Sequence, residues 1–198
     1  MSIRSLMAGA AIALAASTVA MSAGATEFLT NGGFDTGGID GWARSGNSGF
    51  FSVNCDASAQ AGACYVDAGP VGSDGVLSQT FSDTAGDTLD ISGWVRGDGG
   101  AFSHVQFYFN DTLVFDSGNP VADSGWVNHT ATAVATGSDV FSVHVRDDPG
   151  FVDLDSFSVT SAVAGVPEPA SWALMLTGFL GLGAALRSAR RRTAVATA

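Results

Sequence analysis

Three short stretches of this chain alternate apolar and polar residues so that side chains able to do chemistry share one surface. In Ser103–Phe109, Val105, Phe107 and Phe109 take one face and His104, Gln106 and Tyr108 the other. In Val140–Arg146, Phe141, Val143 and Val145 oppose Ser142, His144 and Arg146, and in Leu89–Arg96, Leu89, Ile91 and Val95 oppose Asp90, Trp94 and Arg96. A period of two is that of a half-buried strand. If the three strands lie in one sheet, its outer face carries Trp94, Arg96, His104, Gln106, Tyr108, His144 and Arg146. Aromatic faces stack on the apolar side of a pyranose, and amide, imidazole and guanidinium groups bond its hydroxyls. The same alternation also describes an ordinary half-exposed sheet face with Trp94 partly buried.

Other chemistries find less support. Glu27 and Glu168 are the only glutamates and stand at the edges of the central region, which weakens a paired-carboxylate glycosidase. There is no nucleophile-elbow or zinc signature. His104, His129 and His144 have no close ligand spacing and would meet only if folding gathered them. A non-catalytic protein is expected.

The elements that would position this surface lie between two processing segments. Arg4, the apolar run Leu6 to Ala20 and the small residues Ala23-Gly24-Ala25 have the layout of a secretory signal peptide, residues 1–25, cleaved after Ala25. At the other end, the 18 residues between Glu168 and Arg187 carry no charge and would reach about 27 Å as a helix, near the length that spans a bilayer core. Arg187, Arg190, Arg191 and Arg192 follow, where the positive-inside rule places cytoplasmic residues. With both ends set aside, Arg44, Arg96 and Arg146 face 19 acidic residues, a net charge near −16 against −11 for the whole chain. Such a surface excludes nucleic acid as a partner and suits neutral ligands or divalent cations.

Val166-Pro167-Glu168-Pro169-Ala170-Ser171-Trp172, the glycine-rich apolar run and the terminal arginines, in that order, closely resemble the PEP-CTERM sorting signal of Gram-negative bacteria. The resemblance implies recognition at Pro167, Glu168 and Pro169 by an exosortase, a membrane transpeptidase that would remove the tail. It also implies a transient stay in the inner membrane, then the outer surface or matrix of an exopolysaccharide-producing, biofilm-forming cell. The sorting signal would occupy residues 166–192 and a short cytoplasmic tail residues 193–198.

The remainder reads as one all-β domain, residues 26–160, with a linker at 161–165. Strands are expected near Phe50–Val53, Ala63–Val66, Gly75–Phe81, Thr88–Arg96, Ser103–Phe109, Thr112–Ser117, Gly125–Ala135, Val140–Arg146 and Val152–Thr160, with a tight turn at Asn110-Asp111. So many strands require two packed sheets, an all-β sandwich. Cys55 and Cys64, in an exported chain, should form a disulfide.

Asn31-Gly32-Gly33-Phe34-Asp35, Gly41-Trp42, the blocks Gly75–Phe81 and Leu89–Val95, Arg146–Phe151 and Leu154–Val159 together resemble the galactose-binding-like jelly rolls that include many carbohydrate-binding modules. That resemblance implies a structural calcium at Asp35 and Asp155, although Ser156 departs from the paired acid that many relatives carry. Two readings follow: a module that binds exopolysaccharide or another glycan, and a structural matrix or surface protein with no specific glycan ligand.

Overall fold

The structure, a computed structural model, describes residues 24–161, 175–184 and 187. The signal-peptide segment up to residue 23, the Pro-Glu-Pro motif and Arg190 to Arg192 lie outside the described residues. In the C-terminal unit, residues 175–184 are helical, with Met175, Leu176, Phe179, Leu180 and Leu182 exposed. Among the described residues no helix is long and apolar enough to cross a membrane.

The other unit, Gly24–Val163, is built on ten strands. These are β1 (Ala43–Gly46), β2 (Phe51–Cys55), β3 (Cys64–Ala68), β4 (Gly75–Ser82), β5 (Thr88–Arg96), β6 (Ser103–Phe109), β7 (Thr112–Asp116), β8 (Val127–Val134), β9 (Ser138–Asp147) and β10 (Val152–Ser161). They form two five-stranded antiparallel sheets, ordered β2-β3-β10-β5-β8 (sheet A) and β1-β4-β9-β6-β7 (sheet B). The expected sandwich is therefore present. Asn110 and Asp111 both take positive φ between β6 and β7, the conformation of a two-residue hairpin turn that Asn and Asp tolerate. β1 was not anticipated: its four residues are all exposed and show no apolar alternation to announce a strand.

The inner faces follow the alternation. Leu77, Val105, Phe107, Phe141, Val143 and Val145 from sheet B meet Val66, Leu89, Ile91, Val95, Leu154 and Val159 from sheet A, all of them fully buried or nearly so. One device departs from simple alternation. Between Asp155 and Ser158 the β10–β5 register shifts, with Ser156 at φ 51°. This β-bulge adds one residue, so Leu154 points inward before it, and Phe157 and Val159 point inward after it. Without it the last two would face solvent. The Phe157 ring then sits at the centre of an aromatic cluster, 5.6 Å from Phe107, 5.7 Å from Trp42, 6.0 Å from Phe141 and 6.1 Å from Phe34. Gly93, opposite the bulge, makes room: a Cβ there would overlap the Phe157 ring.

The N-terminal strap completes the core. Phe34 and Trp42 fill one side of it, and the Trp42 indole N–H donates to the Asn31 carbonyl at 3.1 Å. Buried Gln79 reads the strap's backbone, accepting from Thr30 N at 3.0 Å and donating to Thr30 O at 2.6 Å. Phe157 N donates to Gly32 O at 2.9 Å, joining strap and bulge. Phe157→Ala is expected to lower the unfolding free energy by about 3–5 kcal/mol. Gly93→Ala, which crowds the same ring, should cost about 1–3 kcal/mol. Urea unfolding followed by tryptophan fluorescence checks both, and losses under about 1 kcal/mol would deny the ring its central place.

Candidate functional site

The seven side chains expected on one outer face divide between two. Alternation within a strand decides inside from outside but not which sheet the strand joins. β6 and β9 are neighbours in sheet B, whereas β5 pairs with β10 and β8 in sheet A. The outer face of sheet B therefore carries His104, Gln106, Tyr108, His144 and Arg146. Trp94 and Arg96 stand on the opposite side of the sandwich, a correction to the single face expected from sequence.

On sheet B, His104 pairs across the ladder with Arg146, Gln106 with His144, and Tyr108 with Ser142. Alternate residues along a strand lie about 7 Å apart, so the set covers about 13 Å of two neighbouring strands. The Tyr108 and His144 rings lie together, centroids 4.4 Å apart and inclined by 38°. Tyr108 Oη donates to Gln106 Oε1 at 3.2 Å, and Gln106 Nε2 donates to Asp116 Oδ2 at 2.7 Å. That amide, with the Gly118 N–H, holds the Asp116 carboxyl below the usual range. Burial keeps the His144 imidazole pKa below its ordinary value, so the ring is neutral at neutral pH. His104 Nε2 lies 3.1 Å from Asp74 Oδ1. Arg146 bonds Asp148 through Nε at 2.6 Å and through Nη2, with its guanidinium 4.3 Å over the ring of Phe102. Phe102, which the alternation could not place because it precedes the strand, is exposed, as are Leu113 and Val140. The face is a half-exposed band of aromatic, imidazole, amide and guanidinium groups.

Sheet A presents a different surface. Arg96 is consumed internally: Nε and Nη2 bond Asp153 Oδ2, each at 2.6 Å, and Nη1 donates to Ser58 O at 3.3 Å. Its guanidinium lies 4.8 Å from the Trp126 ring and 5.5 Å from that of Tyr65. The Trp126 indole N–H also donates to Ser58 O, at 2.9 Å. Cys55 and Cys64 form the expected disulfide, with a Cα–Cα separation of 3.9 Å, and the loop that it closes folds back on this face. Trp94 is half-buried opposite Asn128. Further along the sheet, a shallow groove of about 420 Å³ is lined by Asp90, Ser92, Thr130, Thr132 and Thr160, with no aromatic side chain to stack on a sugar.

The three histidines are not gathered. His129 stacks on Phe115 at 4.4 Å, away from His104 and His144 on the sheet B face. Among the described residues no three His, Cys, Asp or Glu converge as a metal group.

Asp35 and Asp155 do come near one another beside Gly33, but three of their four oxygens are turned toward donors. Asp155 Oδ2 accepts from Gln60 N at 2.9 Å and Ala61 N at 3.3 Å, and Oδ1 accepts from Ser156 N at 2.5 Å and Ser156 Oγ at 3.2 Å. Asp35 Oδ1 accepts from Ala63 N at 2.7 Å and Cys64 N at 3.3 Å. Calcium needs oxygens with free lone pairs; both Asp155 oxygens are taken by N–H and O–H groups, whereas Asp35 is engaged through Oδ1 alone among the described residues. As arranged, the pair clamps the disulfide loop. Burial raises the Asp155 pKa while these hydrogen bonds oppose the rise. Asp155→Asn, which loses one acceptor oxygen, is expected to cost about 1–3 kcal/mol in calcium and in chelator alike. Calcium-dependent unfolding that is lost in this variant would restore the pair as ligands.

Fold and surface thus define a two-sheet β-sandwich domain with a half-exposed polar–aromatic band on one outer face. No protein-family model matches the sequence, and no curated protein matches it. Among solved structures, the chain is similar to TmCBM61 in complex with β-1,4-galactotriose, with TM-score 0.59 and 21% identity over 69% of this chain and 99% of that one. It is also similar to the CBM22-1 xylan-binding domain of Paenibacillus barcinonensis Xyn10C, with TM-score 0.54 and 20% identity over 70% and 96%. A third likeness is the K1 cleaved adhesin domain of Lys-gingipain from Porphyromonas gingivalis W83, with TM-score 0.50 and 15% identity over 66% and 96%. At these identities the likeness is one of fold, the jelly-roll sandwich of carbohydrate-binding modules.

Proposed function

We propose that the domain is a non-catalytic carbohydrate-binding module that holds a neutral polysaccharide against the outer face of sheet B. The observation that carries this reading is the Tyr108–His144 ring pair flanked by Gln106, His104 and Arg146. Rings supply the stacking surface, and the amide, imidazole and guanidinium groups supply directional bonds to hydroxyls. The solved structures of similar fold include modules whose names record galactotriose and xylan as ligands. The acidic surface favours an uncharged glycan over a polyanion. The tail adds the context: an exported protein recognised by an exosortase at Pro167-Glu168-Pro169, released from the inner membrane and kept in an exopolysaccharide matrix.

The hydrogen bonds that already tie Tyr108 to Gln106, Gln106 to Asp116 and Arg146 to Asp148 favour a second reading. In it the same face is structural, and the protein is a matrix component without a specific glycan.

Titration of the full chain, purified in mild detergent, against a glycan panel and the producer's exopolysaccharide separates the two. Under the first reading binding saturates, Tyr108→Ala and His144→Ala weaken it by about tenfold or more, and Trp94→Ala leaves it intact. Binding that follows Trp94 instead would move the site to sheet A, and no binding to any glycan leaves the structural reading. Processing has its own measurement, the mass of the mature chain. Cleavage near Pro167 in a host with an exosortase, and an uncleaved chain when Pro167-Glu168-Pro169 is replaced by alanines, is the expected pair of results; identical masses would refute the sorting signal.

A further inference from the structure

Of the buried aspartates, one meets no hydrogen-bond donor. Asp139 accepts from Thr136 N at 2.8 Å, from Asn110 Nδ2 at 2.6 Å and from Thr136 Oγ1, and these bonds overcome burial to hold its pKa down at about 2. Asp155 is surrounded by the donors described above. Asp147, the last residue of β9, is 0% exposed, and neither of its carboxylate oxygens meets a hydrogen-bond donor. A buried carboxylate without a donor is costly unless something cationic completes it.

A second carboxylate shares the spot. A Cβ added to Gly150 would lie 3.0 Å from Asp147 Oδ1 and overlap Asp98 Oδ2; one added to Gly100 would lie 3.2 Å from Asp147 Oδ1 and 2.8 Å from Asp98 Oδ1. Neither glycine has the positive φ that would itself demand glycine. What they supply is space beside two converging carboxylates. Asp98 Oδ1 takes one N–H, from Gly100 at 2.7 Å. The nearby base does not neutralise the pair, because Arg146 is engaged by Asp148, whose carboxylate also accepts from Gly72 N.

We propose that Asp98 and Asp147 hold a divalent cation, calcium by its chemistry, between the loop after β5 and the turn after β9. The donor set is hard oxygen with no imidazole or thiolate, which suits calcium rather than zinc. No third acidic, histidine or cysteine side chain joins them among the described residues, so backbone carbonyls and water complete the shell. Two carboxylates and such a shell correspond to the weak, about 10⁻⁴–10⁻³ M affinities of extracellular calcium modules. Asp98 is exposed and provides the entry path. Burial first, then the charges of Asp98 and Asp148, push the Asp147 pKa up to about 6, so a proton competes with the cation in acid.

The site is separate from Asp35 and Asp155 and independent of whether a glycan binds. The test is thermal unfolding of the full chain in detergent, stripped with chelator and titrated with calcium to about 10 mM near neutral pH. Calcium is expected to raise Tm by several degrees, saturably. Asp147→Asn and Asp98→Asn should abolish the shift, and Asp147→Asn should raise Tm in chelator at neutral pH by removing a buried charge. Asp35→Asn and Asp155→Asn should keep the shift. Exposed Asp98 leaves a folded variant to measure even if position 147 tolerates no change. Absence of any calcium shift in the wild type, or a shift that survives both Asp98→Asn and Asp147→Asn, would overturn the proposal.

Discussion

One inserted residue governs much of this domain. The bulge at Asp155-Ser156-Phe157 forces Ser156 into the left-handed region, a local cost of about 1–3 kcal/mol that the surrounding contacts must offset. The offset comes from both sides of the strand. Inward, Phe157 enters the aromatic cluster of Phe34, Trp42, Phe107 and Phe141, and Gly93 yields the space. Outward, Asp155 takes the backbone N–H groups of Gln60 and Ala61 and pins the disulfide loop over sheet A. Along the chain, Phe157 N–H and Gly32 O fasten the N-terminal strap. Core, strap and loop are thus set by the same three residues, and the loop that they pin lies on sheet A rather than on the band of sheet B.

The strands were legible in the sequence because buried and exposed faces alternate, and all nine expected strands differ by no more than two residues at either end from those observed. The Asn110-Asp111 turn and the Cys55–Cys64 bridge were legible for equally local reasons, turn chemistry and redox compartment. What alternation does not encode is partnership. The pairing of β5 with β10 and β8 depends on contacts distant in sequence, so Trp94 and Arg96 were placed with His104 and Tyr108 although the sandwich separates them. β1 was missed because an exposed edge strand needs no apolar face. Asp147 was hidden inside Arg146-Asp147-Asp148-Pro149-Gly150, a composition that reads as a solvated turn. Only the ladder, which sets Asp147 opposite buried Ser103, shows that it is enclosed.

The charge pattern decides what the sheet B face is able to hold. The domain is strongly acidic, yet three of the acids near this face are individually answered. Asp74 is met by His104, Asp148 by Arg146 and Gly72 N–H, and Asp116 by the Gln106 amide and Gly118 N–H. On sheet A, Arg96 answers Asp153, whose carboxyl burial nevertheless raises to about 6, with Arg96 opposing that rise and Asp67 adding to it. Two of the domain's three arginines thus balance local carboxylates instead of standing out as anion receptors. A free guanidinium would draw a uronic acid or a phosphate; one already bonded to Asp148 and laid over Phe102 presents a nearly neutral edge. Outside this band the domain's acids remain in excess and repel anions over the range of the Debye length. A neutral sugar chain is the ligand class that such a surface accepts without penalty, which is why the proposal specifies an uncharged polysaccharide.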